Sequence, residues 1–408
     1  MKYRLIKFSD RLKGKVQLES SKSESNRALI INALAEGEGT LSNLSNARDT
    51  RTMMFLLRSQ NEILDVKDAG TTMRFLTAYL TIKGEGQTLT GTDRMKKRPI
   101  GPLVDALRQI GANIEYLEEE GYPPIRVHRI KEQKKSHIQI PGNISSQYIS
   151  ALLMIAPCLP NGLTIELTTE VFSQPYIQLT IDLMDQFGVK VGWDKRRLSV
   201  SAQTYKATPH TIEGDWSGAS YWYSFAALSQ NGHLTLPDIR AYSSQGDNKI
   251  AAIMYNMGVA SHFEYGRVKL IKRDQKQYSI SLDFKDCPDL AQTVMAAAAV
   301  SGITLNMTGL ESLKIKETDR IQAMKNELSK LGAMLLESTH KWVLKPSNEL
   351  PKSIEVETYE DHRMAMAFAP LCQIMEVTIK DPSVVEKSYP AFWEEVEKLG
   401  IKIERIPQ

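Results

Sequence analysis

The sequence predicts an α/β protein made of two similar halves, each assembled from copies of one subdomain. Three observations predict this: a chain of 408 residues, six recurrences of one local pattern, and a glycine that stops a helix in five of them. At 408 residues the chain exceeds what one hydrophobic core usually serves, so two domains are expected. Each copy opens on small polar residues and runs into an apolar helix. The openings span 21–27, 68–74, 142–147, 214–219, 287–291 and 359–363.

A strand of alternating character follows each first helix, marked by Leu41, Leu89, Leu163, Leu234, Ile303 and Val377, each directly before Ser or Thr. After a shorter first step these markers fall about seventy residues apart, the length of a globular subdomain and not of a solenoid turn. A second helix then stops at Gly111, Gly188, Gly258, Gly332 or Gly400, where a left-handed cap favours glycine. Two strand-like runs joined by a polar turn come behind most of these glycines, for instance 333–336 and 342–344. Each full unit therefore reads helix, strand, helix, strand, strand. The first unit breaks off near Ser59 and resumes at Asp68, which truncates it. With three units per domain, 21–213 forms the N-terminal half, while 1–20 and 214–408 form the C-terminal half, including the N-terminal strand.

Composition narrows the function. The net charge of +3 comes from 51 basic and 48 acidic residues, too balanced for a protein that lives on nucleic acid or an anionic membrane. Cys158, Cys287 and Cys372 are odd in number and lack metal spacing, which fits a reducing cytoplasm. No stretch approaches a membrane span, and Met1 to Lys7 has no signal-peptide block. Neither a phosphate loop nor a nucleotide fingerprint is present, so no metal and no cofactor are expected.

The helix openings carry the chemistry. Free amides and the dipole at a helix start favour anions, and a cation there loses roughly 0.3 to 1 kcal/mol. Lys22, Arg27, Arg74 and Arg363 run against that preference. A multiply charged anion lying between dipole and cation would reconcile them, since a unit charge pair at about 4 Å is worth roughly 4 kcal/mol at an effective dielectric of 20. Small, highly anionic ligands follow. Lys316 to Arg320 is the densest polar cluster, read either as solvated ion pairs or as another ligand-facing opening, with Thr318 or Asp319 as its N-cap. Asp289, behind Pro288, reads as an N-cap or as a base for a hydroxyl proton. Ser145, Ser146, Gln147 and Ser173 are caps or oxyanion ligands, and the segment from Gly91 to Pro99 is strongly basic.

The openings 21–27 and 68–74, the run Arg94 to Ile100, Lys316 to Arg320 and Asp361 to Met366 together resemble the 5-enolpyruvylshikimate-3-phosphate synthase family, in order, from about Lys13 to Gly400. The resemblance implies an inside-out α/β barrel in two domains, each of three βαβαββ units, with helix starts facing an interdomain cleft that closes on its ligands. It implies transfer of the enolpyruvyl group of phosphoenolpyruvate to the 5-hydroxyl of shikimate 3-phosphate, the penultimate step toward chorismate and the aromatic amino acids. By the same resemblance Lys22, Ser23, Arg27, Ser145, Ser146, Gln147, Ser173, Tyr176, Asp289, Ser312 and Lys316 contact shikimate 3-phosphate. Lys22, Gly70, Arg94, Gln147, Arg320, Arg363 and Lys387 contact phosphoenolpyruvate. Asp289 takes the hydroxyl proton, Glu317 and Lys316 handle protons at the enol methylene and bridging oxygen, and Lys22 joins the catalytic set. A monomer is expected.

Three positions depart from the family pattern: Asp68 where Asn is usual, Ser312 where Asn often contacts the shikimate ring, and Ser21 where Gly is common. Asp68 adds a negative charge beside the phosphoenolpyruvate pocket, and Arg74 is the expected balance. The sister transferase acting on UDP-N-acetylglucosamine is disfavoured, since its loop carries a reactive cysteine and residues 84–98 have none. A non-catalytic polyanion-binding relative is the remaining alternative.

Overall fold

Five four-stranded sheets and one two-stranded sheet hold the strands of the described residues, and the five share one topology. A computed structural model describes residues 1–7, 11–37, 39–316 and 318–407. The chain divides into Met1–Glu19 with Glu213–Gln408, and Ser20–Ile212.

Within Ser20–Ile212, strand Ile63–Asp65 runs parallel to Gln87–Thr90, which is antiparallel to Ile125–Val127, itself antiparallel to Ile114–Tyr116. His137–Ile140, Leu163–Leu167, Arg197–Val200 and Gly192–Asp194 repeat that order. A parallel pair needs a crossover, supplied by the helices Gly70–Lys83 and Ser146–Ile155. In the truncated unit Leu41–Ser42 pairs in parallel with His210–Thr211, and the second helix, Arg48–Leu57, leads straight to Ile63–Asp65 of the next sheet without a hairpin.

The other unit forms one sheet from contiguous sequence, Ser279–Asp283, Thr304–Thr308, Lys341–Lys345 and Met334–Ser338. Its other two sheets use the start of the chain. Arg11–Lys15 lies parallel to Asn231–Pro237, and Lys2–Lys7 inserts between Glu376–Lys380 and Ile401–Ile406, with Leu5 opposite Val377 and Ile403.

The crossover helices are apolar on every side and are buried accordingly. Every residue of Trp216–Leu228 and of His362–Phe368 is buried, as are Ala291 to Ala299, and Ser146–Ile155 apart from Gln147. The second helices are one-sided instead: Gly101–Ile110 buries Leu103, Val104, Ala106, Leu107 and Ile110. Strands such as His137–Ile140 alternate exposed and buried residues. Helices thus fill the interior and sheets present an outer face, an inside-out α/β arrangement. Gly111, Gly188, Gly258, Gly332 and Gly400 stand at φ of 120°, 85°, 92°, 76° and 81°, the left-handed stop their spacing predicts.

Candidate active site

In Ser20–Ile212 helix starts supply the polar groups. Ser21 caps Lys22–Leu34, its Oγ accepting from the Glu24 amide at 3.3 Å, which makes Lys22 the first helical residue. Lys22 Nζ lies 3.6 Å from Oδ2 of Asp49, a buried residue in the first turn of Arg48–Leu57. Arg27, in the second turn, is 1% exposed. Its Nε donates to Thr180 Oγ1 at 2.7 Å, Nη1 to the Ser23 carbonyl at 2.8 Å, and Nη2 to Ser150 Oγ at 3.2 Å and the Tyr176 carbonyl at 3.3 Å. Burial pulls the Arg27 pKa down to about 10, which still leaves it charged at neutral pH.

Gly70 opens Gly70–Lys83 behind Ala69, and no side chain caps that start. A Cβ at Gly70 would lie 2.6 Å from Arg98 Nη1 and 3.0 Å from Arg74 Nη1, so glycine is what lets two guanidiniums approach this backbone. Arg74 Nη1 donates to Gln147 Oε1 at 2.6 Å, and Gln147 Nε2 donates to Thr71 Oγ1 at 3.1 Å, which ties two helix starts together. Ser145 caps Ser146–Ile155 through the Gln147 amide at 3.4 Å. Ser173 precedes Gln174–Gln186 at φ 55° without a side-chain cap bond. A non-glycine residue there costs about 1 to 2 kcal/mol, strain of the kind that persists where a side chain must be aimed. Arg94 is half-buried on the short helix Asp93–Lys96.

In the second unit, Asp289 sits in the turn Pro288–Leu290 ahead of Ala291–Ser301 and does not cap that helix. Its Oδ1 accepts from Arg320 Nη1 at 2.9 Å and its Oδ2 from Arg363 Nη2 at 2.9 Å, while Lys316 Nζ lies 3.9 Å from Oδ1. Arg320 and Arg363 open the helices Arg320–Lys330 and His362–Phe368, the first capped by Asp319 and the second by Asp361. Asp361 is fully buried, accepting from Arg320 Nε at 2.7 Å and from the Arg363 amide at 2.9 Å. Two consecutive left-handed residues, Tyr359 at φ 52° and Glu360 at φ 54°, turn the chain into that cap. Arg363 also donates to the Tyr221 hydroxyl at 3.2 Å, whose pKa burial pushes up so that it stays neutral. Lys316, Arg320 and Arg363 thus gather at Asp289, with Asp361 behind the two arginines.

The other expected residues take these places. Lys387 is buried at the end of Pro382–Lys387, Ser312 is half-buried in Glu311–Ile315, and Ser23, Ser146 and Tyr176 sit on their helix starts. Glu317 lies outside the described residues.

Two expectations need correction. Arg27 and Arg74 stand in the second helical turn, because Ser21 and Ala69 fix the starts, so of the four expected cations only Lys22 and Arg363 lie in a first turn, where Arg48 and Arg320 also stand. The conflict is also partly resolved within the chain, by Asp49, Asp289 and Asp361. Stripping water from a cation costs several kcal/mol, so the fold itself must bring carboxylates to it. Beside these, Asp68 pairs with Arg48 at 2.9 Å, a partner the sequence did not announce, and Arg74 Nη1 donates to Gln147. Sequence reasoning missed Asp49 and Arg48 as site groups, since nothing local links them to Lys22 or Asp68. Asp361 carried a usable signal, an Asp directly before an apolar helix that begins with His-Arg.

Fold and site together define an inside-out α/β enzyme for anionic substrates. The sequence model of EPSP synthase (3-phosphoshikimate 1-carboxyvinyltransferase) matches residues 6–61 and 57–396. The chain is 46% identical over 407 residues to the 3-phosphoshikimate 1-carboxyvinyltransferase of Bacteroides fragilis (strain YCH46), covering 99% of both chains. It is 38% identical to that of Methanospirillum hungatei, covering 93% of this chain and 94% of the relative. An EPSP synthase structure from Acinetobacter baumannii superposes with a TM-score of 0.81 at 21% identity, covering 99% of this chain and 100% of that one, which speaks to the fold. The chain belongs to the EPSP synthase family.

Proposed function

We propose that this chain transfers the enolpyruvyl group of phosphoenolpyruvate to the 5-hydroxyl of shikimate 3-phosphate and releases inorganic phosphate. The observation that carries the reading is Asp289, a carboxylate with both oxygens held by arginines and a lysine at 3.9 Å. The carboxylate and phosphate of phosphoenolpyruvate compete for Arg320 and Arg363, and Lys387 of the same unit adds to that anion site. As the arginines turn to the substrate, Asp289 is released to take a proton.

The 5-hydroxyl oxygen then attacks C2 of phosphoenolpyruvate while C3 gains a proton from Lys316 or Glu317, and Asp289 accepts the hydroxyl proton. Loss of a C3 proton and cleavage of the C2–O bond expel phosphate and restore the enol ether. Acid and base groups of this kind each supply on the order of 10² to 10⁴ in rate. On the shikimate side, Lys22, Ser23, Ser145, Ser146, Gln147, Ser173, Tyr176 and Ser312 bind the phosphate and ring hydroxyls. Arg27 acts there mainly through its field and by holding the Ser23 carbonyl. Both substrates are polyanions, in keeping with the cations at these helix starts, and the three free thiols support a cytoplasmic setting.

Phosphate release with both substrates present, absent when either is omitted, tests the reading. Binding of both without turnover would instead make the chain a non-catalytic polyanion binder.

A further inference from the structure

Arg363 is held by hydroxyls as well as by Asp289. Its Nη2 donates to Ser217 Oγ at 3.4 Å and to Asp289 Oδ2 at 2.9 Å, and its Nη1 to the Tyr221 hydroxyl at 3.2 Å and to the Asp289 carbonyl at 3.3 Å. Ser217 and Tyr221 stand four residues apart in Trp216–Leu228, the spacing that puts two side chains on one helix face a turn apart. Asp215 caps that helix and accepts from the Ser217 amide at 3.2 Å, which fixes the backbone of Ser217. A serine hydroxyl has one proton, and Ser217 gives it to Oδ2 of Asp247, a buried residue of the short turn Gly246–Lys249. With the proton committed there, the Ser217 oxygen presents its lone pairs to Arg363.

We infer that Ser217 and Tyr221 form a cradle that aims the Arg363 guanidinium at phosphoenolpyruvate, with Asp247 as the positioning residue that sets the Ser217 hydroxyl to accept. The inference rests on the proposed reaction and on Arg363 as a phosphoenolpyruvate contact. Bidentate recognition of a carboxylate or phosphate needs a guanidinium of fixed orientation. The substrate displaces Asp289 Oδ2 from Nη2, and the two hydroxyls keep the guanidinium plane in place while it does. Asp247 is also a negative charge, and as a charge alone it would weaken the binding of an anion. Its two possible roles therefore predict effects of opposite sign.

A double-mutant cycle, read by steady-state kinetics on both substrates, decides between them. Ser217→Ala should raise KM for phosphoenolpyruvate about fivefold and leave KM for shikimate 3-phosphate within about twofold. Asp247→Ala should raise KM for phosphoenolpyruvate about threefold, and in the Ser217→Ala background it should no longer raise it. Tyr221→Phe should raise the same constant about threefold, and it is the deciding variant should either of the others fail to fold. A lower KM for phosphoenolpyruvate in Asp247→Ala, a rise undiminished without Ser217, equal shifts in both Michaelis constants, or no change in Ser217→Ala or Tyr221→Phe overturns the inference while the unmodified chain turns over. Absence of turnover in the unmodified chain overturns the proposed reaction, and this inference with it.

Discussion

The two units stabilise their cations by different means. In Ser20–Ile212, Arg27 is solvated by two hydroxyls and two carbonyls, and Arg74 by the Gln147 amide oxygen. In the other unit, Arg320, Arg363 and Lys316 are gathered around Asp289 and Asp361. Neutral dipoles leave the positive charge of the buried Arg27 uncancelled, whereas Lys22 of the same unit, 3.6 Å from Asp49, follows the carboxylate pattern. Carboxylates partner the second set, and under the proposed reaction a competing anion would free Asp289 as a base.

The comparison breaks most visibly at Asp289. Asp289→Asn should cut turnover by about 10² to 10⁴ yet tighten phosphoenolpyruvate binding, because the cations lose their internal competitor. Single-turnover kinetics with equilibrium binding reads both, and weaker binding would refute the competition. Next comes Asp361→Ala, which takes from the buried Arg320 one of its two carboxylates and from His362–Phe368 its N-cap, and should cost about 3 to 5 kcal/mol in denaturant unfolding. Gln147→Leu, which removes the acceptor of Arg74, should cost about 1.5 kcal/mol and raise KM for both substrates. Arg27→Met should be the mildest for the fold, changing unfolding free energy by under about 1.5 kcal/mol. A desolvated charge is replaced by an apolar stem of similar length, and Thr180 and Ser150 keep their mutual bond at 2.8 Å. A stability loss at Arg27 equal to that at Asp361 would erase the distinction between the halves.

Much of the fold was legible because a fixed repeat and capping glycines are local signals. Gly111 and its four counterparts mark helix ends whatever the tertiary context. The strand that crosses from the start of the chain into the later half could be expected from the repeat count. Its register, Leu5 against Val377 and Ile403, could not, since side-chain pairing across such a separation leaves no local trace. In the site, cations at helix openings announced an anion, but their partners did not. Asp49 reaching Lys22 and Arg48 reaching Asp68 depend on how neighbouring helices pack, which no window of sequence encodes.

The insertion of Lys2–Lys7 between Glu376–Lys380 and Ile401–Ile406 has a consequence for biosynthesis. Lys2–Lys7 leaves the ribosome long before either neighbour, so until they emerge it is an unsatisfied edge able to pair with another nascent chain. Its Lys2, Arg4 and Lys7 give it the charge that discourages such pairing. The Ser20–Ile212 unit, whose strands all come from its own stretch of chain, has no such wait and can complete its sheets while the remainder is still being made.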